Sequence, residues 1–412
     1  MTPIRLLLPL AWLAAACGHP PERAAGQDSA PRDSPPASKP ESLPPKYWEP
    51  RPIQRPKVKV LPQTPDPAPD SAVVPDSGGS SAVPADSADS ARHASAAARR
   101  AGRGGQIGFR LTPADSARWP VPGLPEPLPG SLIPANRIVA YYGTPRSTRM
   151  GVLGRIPPDS MLPRLERTAR LWAEADSSRG VMPALHLIAT VAQDKPGGGG
   201  KYRLRLGTAV IDSVSQWAET RGWIVILDIQ IGHSTVAAEL EPLLPYLRRP
   251  YVHLALDPEF AMKNGGVPGR RIGTLDASDV NTAVEVLGKL VDEEKIPPKV
   301  LVVHRFTRRM LTNTERITLD PRVQVVIDMD GFGIPKHKED AYRLWIVPYP
   351  VQYTGFKLFY KNDRKPPYRS EADARWTCPD SVALAVGCGD DGLMTPKDVL
   401  RLWPRPDYIQ YQ

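Results

Sequence analysis

The chain has 412 residues and a formal net charge of +9, from 53 Lys and Arg against 44 Asp and Glu. The basic residues are spread out, with no run beyond pairs such as Arg99–Arg100 and Arg308–Arg309, which excludes the concentrated patch of a nucleic-acid binder. Of the 49 prolines, 24 fall in residues 18–135, so the 277 residues from 136 to 412 carry the fold, close to the length of one α/β barrel.

At the start, Arg5 precedes an apolar run over residues 6–16 that ends in small residues before Cys17. This is the pattern of a secretory signal, and it is too short for a permanent membrane span. The stretch LAAAC resembles a bacterial lipobox, which implies removal of residues 1–16 and a lipid on Cys17. The alternative is cleavage near Ala16 without lipid. Residues 17–135 are rich in Pro, Ala, Ser and Asp and show no periodicity. Such a segment buries too little apolar surface to offset its ordering entropy, so the expectation is a disordered tether.

From 136 onward, apolar runs alternate with helical patterns. RIVAYYG, MPALHLIATV, WIVILDIQ, YVHLALDPEF, KVLVVHRF, VQVVIDMDG, FKLFY and DYIQYQ read as eight strands. Helices are expected over 158–172, 208–220, 235–247, 277–294, 308–315, 338–345 and 395–403, with Pro242 and Pro245 breaking the third. Apolar strands buried on both faces and joined by helices predict a parallel sheet of right-handed βαβ units. Eight of them predict a (β/α)8 TIM barrel over residues 136–412. An open doubly wound sheet is the alternative, but no G-x-G-x-x-G follows any strand. The segment around 111–119 is a candidate to fill the place of a helix after the last strand. Cys378 and Cys388 lie ten apart in one expected loop, which suggests a disulfide in an exported protein, and no second Cys pair or His nearby favours zinc.

The strands end in titratable groups, and the carboxyl ends of barrel strands are where active sites sit. The expected ring comprises Tyr141 or Tyr142, His186 or a neighbour, Asp228 with Gln230, Asp257 with Glu259, His304, Asp328 with Asp330, Lys357, and Gln410 or Tyr411. His186 and His253 lie earlier in their strands and read as structural. Taken singly, Asp228 or Asp328 suits a helix cap and His304 a core histidine; their coincidence at one end of the sheet is what points to a ligand. A carboxylate-rich ring with aromatics and no placed Ser or Cys nucleophile suits glycoside hydrolysis. Glu259 is the expected general acid, positioned by Asp257, with Asp228 or Asp330 as second carboxylate. Tyr142, Gln230, His304, Asp328, Lys357 and Gln410 are the expected substrate contacts. D-P-E at 257–259 is similar to the end of the D-x-D-x-E pattern of chitinase-like glycosidases, although Ala255 stands at the earlier acidic position.

The strand ends LDIQ, LALDPE and IDMDG and the closing YQ resemble those of a group of bacterial surface lipoproteins with a TIM-barrel, glycoside-hydrolase-like domain. The resemblance spans roughly 137–412 and implies the fold and the site's location. The function expected is thus a membrane-anchored, extracytoplasmic enzyme acting on carbohydrate or a cell-envelope polymer, with no cofactor and no metal. A non-catalytic glycan-binding barrel and a metal-dependent hydrolase using Asp228, Glu259, His304 and Asp330 are the alternatives.

Overall fold

A computed structural model describes residues 117–363 and 393–412. The expected signal segment, the lipidation expected at Cys17 and the disulfide expected between Cys378 and Cys388 lie outside the described residues. Eight strands run in chain order: β1 (Asn136–Gly143), β2 (Gly180–Ala192), β3 (Ile224–Ile229), β4 (Val252–Leu256), β5 (Lys299–Arg305), β6 (Val323–Met329), β7 (Tyr353–Leu358) and β8 (Tyr408–Tyr411). Each pairs in parallel with the next, and β8 pairs with β1. Among the described residues these eight strands form a closed parallel barrel that leaves none of them an open edge, and a short strand, Arg203–Arg205, pairs antiparallel with the end of β2.

Side-chain alternation divides the apolar residues in two. Val139, Leu185, Val225, Leu254, Val303 and Ile327 face outward into the core shared with the helices. Ile138, Ala140, Ala184, Ile226, Val302 and Val326 face inward and fill the amino-terminal half of the lumen. The carboxyl-terminal half is polar.

The helical layer is uneven. Long helices follow β1 (α1, Pro158–Ala175), β2 (α2, Thr208–Glu219), β4 (α3, Ala277–Glu294) and β6 (α4, Pro335–Trp345). α1 starts on a proline and buries Leu162, Leu165, Ala169 and Trp172, one per turn of its inner face. Asp276 closes a capping box at the start of α3. After β3 the helical path breaks into Val236–Leu240, Glu241–Leu243 and Leu244–Leu247, as Pro242 and Pro245 require. Pro396–Val399 is the helix described before β8, with Thr395 as its cap. Among the described residues no helix is long and apolar enough to cross a membrane.

Two expectations need correction. The helix expected over 308–315 is two 3-10 turns, Arg308–Met310 and Thr314–Arg316. Between them Leu311–Thr312 pairs with Leu275–Asp276. The Thr312 hydroxyl and the Asn313 amide both donate to Asp276 at 2.6 Å, which holds the chain extended where propensity alone suggests a helix. Residues 117–135, counted with the tether, pack on the domain. The Trp119 indole donates to the Val347 carbonyl at 3.0 Å and its ring is buried. The Leu132 and Ile133 amides donate to Gln324 Oε1 at 3.0 and 3.1 Å, and both side chains close the base of the lumen. The folded unit therefore includes chain from residue 117. Its first 19 residues make no regular element, so their sequence carries no period to read.

Candidate functional site in the barrel mouth

Inward-facing positions at the strand ends bring one cluster together. β1 supplies Tyr142, β2 His186 and β5 His304. Asp228 comes from β3 and Lys357 from β7, Asp328 lies on β6 with Asp330 just past its end, and Tyr408 and Gln410 lie on β8. Gln230 and Asp257 follow the last residues of β3 and β4. Tyr141 points the other way, its hydroxyl 2.8 Å from that of Thr168. The expected residues Tyr142, Asp228, Gln230, Asp257, His304, Asp328, Asp330, Lys357 and Gln410 are thus assembled in one lumen. His304, Asp228, Asp328 and Gln410 have no exposed surface and form its floor, while Glu259 at 8% and Asp330 at 7% lie nearest solvent.

Glu259 departs from expectation in its backbone. β4 ends at Leu256, and Pro258–Phe260 is a 3-10 turn, so Asp257 and Glu259 do not share a strand face. Pro258 sets the turn, and Asp257 caps it by accepting the Glu259 amide at 3.1 Å. The other Asp257 oxygen accepts from Gln230 Nε2 at 3.2 Å. Gln230 is oriented by the Ala192 amide, which donates to its Oε1 at 3.0 Å.

Across the mouth, Lys357 Nζ lies 3.0 Å from Asp330 Oδ1 and 3.8 Å from the centre of the Tyr142 ring. His304 Nδ1 lies 3.2 Å from Asp328 Oδ2 and 3.4 Å from Asp330 Oδ2. Beneath them, His186 Nε2 and His304 Nε2 approach Asp228 Oδ2 at 3.4 and 3.5 Å. His186 Nδ1 lies 2.6 Å from the Tyr408 hydroxyl and 2.8 Å from the Gln410 amide nitrogen.

Burial and charge pull these groups apart. Burial, reinforced by Asp228, Glu259 and Asp330, raises the Asp257 carboxyl well above its usual range despite His304. Burial also raises Asp328, against the pull of His304. Burial works against charge on Asp228 too, but the two imidazoles outweigh it and hold that carboxyl down. For His304 burial is overcome by Asp330, Asp228 and Asp328, so it is raised well above the usual imidazole range. Burial pushes His186 down to about 4, although Asp228 opposes this. Within the cluster, therefore, charge is favoured on Asp228 and His304 and disfavoured on His186, Asp257 and Asp328.

Sequence reasoning set His186 aside because it lies in the middle of its run. β2 continues six residues past it, with a register shift between Ile188 and Thr190. Strand stagger in a closed barrel puts His186 level with Tyr142 and Ile226 all the same. His253, also read as structural, sits at the opposite end, accepting the Val300 amide at Nδ1. Tyr408, Lys338 and Asp363 were not anticipated. Buried Lys338 on α4 pairs with Asp363 at 3.1 Å and donates to the Gly331 and Lys357 carbonyls at 2.7 Å. It thereby ties together the segments that carry Asp330 and Lys357. A lysine on an otherwise charged helix face gives no sequence signal for this.

Fold and site together define a closed parallel barrel with a buried ionic cluster at the carboxyl ends of its strands. No protein-family model matches the chain, and a search of curated proteins found no match.

Proposed function

We propose that the domain is a TIM-type (β/α)8 hydrolase of the glycoside-hydrolase kind, acting on carbohydrate or a cell-envelope polymer outside the cytoplasm and anchored to a membrane through Cys17. The observation that carries this reading is the convergence of carboxyls from separate strands on one mouth at the end of the barrel where enzymes of this shape keep their chemistry. Burying so many ionisable groups is costly unless a ligand uses them. Glu259, nearest solvent, is the general acid that protonates the leaving oxygen. Asp257 holds the turn that carries it. Asp330, paired with Lys357, is the second carboxylate, since Asp228 is sealed between two imidazoles. Tyr142, Gln230 and Lys357 meet sugar hydroxyls, supported from below by His304, Asp328 and Gln410.

The test is turnover of a panel of envelope and plant polysaccharides by wild type, Glu259→Gln, Asp257→Asn and Asp330→Asn. Glu259→Gln keeps the shape and removes the proton donor, so it lowers turnover by about 10²–10⁴-fold while sparing binding. Binding of a glycan by wild type without cleavage sinks the enzyme in favour of a binding barrel. Loss in Asp257→Asn but not Glu259→Gln transfers the acid's role to Asp257.

A further inference from the structure

Below the acid pair, four atoms on three side chains face one another with no use in that chemistry. His186 Nε2, His304 Nε2 and both oxygens of Asp228 are buried, and none has a hydrogen-bond partner among the described residues. Charge-assisted hydrogen bonds between such groups close to about 2.7–2.9 Å. Here the two Nε2 atoms stand 3.4 and 3.5 Å from Asp228 Oδ2. One ligand atom from each residue lies within 4.8 Å of the others. Bonds of 2.0–2.1 Å in a tetrahedral zinc site place neighbouring ligand atoms about 3.4 Å apart. The spacing is too long for hydrogen bonds and right for two edges of a coordination shell.

We propose that His186, Asp228 and His304 form a site for one divalent cation of the zinc class. Two imidazoles and one carboxylate suit Zn²⁺, Fe²⁺ or Mn²⁺ rather than Ca²⁺ or Mg²⁺, which take oxygen ligands. The surroundings are those of metal-binding histidines, whose second nitrogen is held by a carboxylate or other partner. Asp328 and Asp330 lie at His304 Nδ1, which turns Nε2 to the metal as a lone pair. At His186 the Tyr408 hydroxyl lies at Nδ1, beside the Gln410 amide. Gln410 Oε1 is buried without a partner, and turning that amide over lets the oxygen accept from His186 Nδ1–H. The same turn frees His186 Nε2. β2, β3 and β5 supply the three ligands from rigid strands, and the floor lies directly beneath Tyr142, whose ring centre is 5.1 Å from that of His186. A cation here supplies Lewis-acid or water-activating chemistry to the same mouth.

The inference shares the lumen with the proposed hydrolase but needs no substrate, so the two fail separately. The experiment is metal analysis of the full chain, refolded with one equivalent of Zn²⁺ and freed of loose ions by gel filtration, with Co²⁺ as a spectroscopic probe. Wild type is expected to retain about one metal per chain and to melt at higher temperature than after chelator treatment. Asp228→Asn and His186→Gln are expected to lose at least ten-fold in occupancy, while Glu259→Gln keeps it. Should either variant fail to fold, the cobalt spectrum of wild type decides: an intense visible band from a low-symmetry four-coordinate site supports the proposal. Wild type with less than a tenth of a metal per chain, a six-coordinate aqueous cobalt spectrum, or folded Asp228→Asn that retains the metal overturns it.

Discussion

Gly355 on β7 makes the space for the Asp328 carboxyl. A Cβ built there meets Asp328 Oδ1 at 2.5 Å and the Tyr408 ring at 3.0 Å. Gly355→Ala forces a buried acid and a buried phenol to move, and overpacking of this kind costs about 1–3 kcal/mol. Urea unfolding of Gly355→Ala measures it, and unchanged stability contradicts the packing described. At this scale the sequence displayed the acids, because each follows an apolar run that stops short of it. It did not display what each acid faces. Asp257 and Glu259, two apart, read as one strand face, yet Pro258 turns the chain between them. His186 read as a core residue because stagger, rather than place in the run, sets height in a barrel.

Among the elements, α4 matters most to the site through a single side chain. Lys338 reaches under β6 and β7 to Asp363, which also accepts the Phe359 and Gly333 amides at 2.8 and 3.0 Å. Lys338→Met leaves that carboxylate buried without its cation, at an expected cost of about 3–5 kcal/mol. In Lys338→Met with Asp363→Asn the uncompensated charge is gone, so the double variant is expected to recover part of the loss. A double variant no more stable than Lys338→Met contradicts the ion pair as the cause. α1 and α3 were legible in outline because their apolar stripes and first-turn signals agree. The 3-10 turns around Leu311 were not, because a tertiary contact to Asp276 overrides local propensity there.

For the whole molecule, the base of the barrel sets a pH dependence. Lys299 Nζ is buried, donating to the Arg249 and Val252 carbonyls at 2.7 and 2.8 Å, and burial pushes its pKa down to about 7. The unfolded lysine titrates near about 10.4, so between those values the unfolded state binds the extra proton and stability rises with pH. His253 acts in the same sense at lower pH. Burial first, and Lys299 second, hold it well below 6.5, so stability falls as pH drops beneath that value. His304 and Asp257, raised in the folded state, act in the opposite sense, so the measurement is the difference in unfolding free energy between wild type and Lys299→Met, which is expected to move in favour of wild type by on the order of a few kcal/mol from pH 7 to 10. A difference that does not change with pH contradicts the burial of Lys299. Deleting residues 117–135 removes Trp119, Leu132 and Ile133 from the core, and about 1.5–3 kcal/mol for each buried side chain makes a large drop in melting temperature the expected outcome. Cys17→Ser is expected to move the protein from the membrane to the soluble fraction; wild type already soluble ends the anchor.

The mouth at the carboxyl ends of the strands is the proposed place of this protein's chemistry. A crystal structure soaked with the oligosaccharide that binds best in a thermal-shift panel tests it most directly. The expected result is a sugar ring between Glu259 and Asp330, with hydroxyls on Tyr142, Gln230 or Lys357. A sugar bound elsewhere on the domain, with the mouth unchanged, contradicts it.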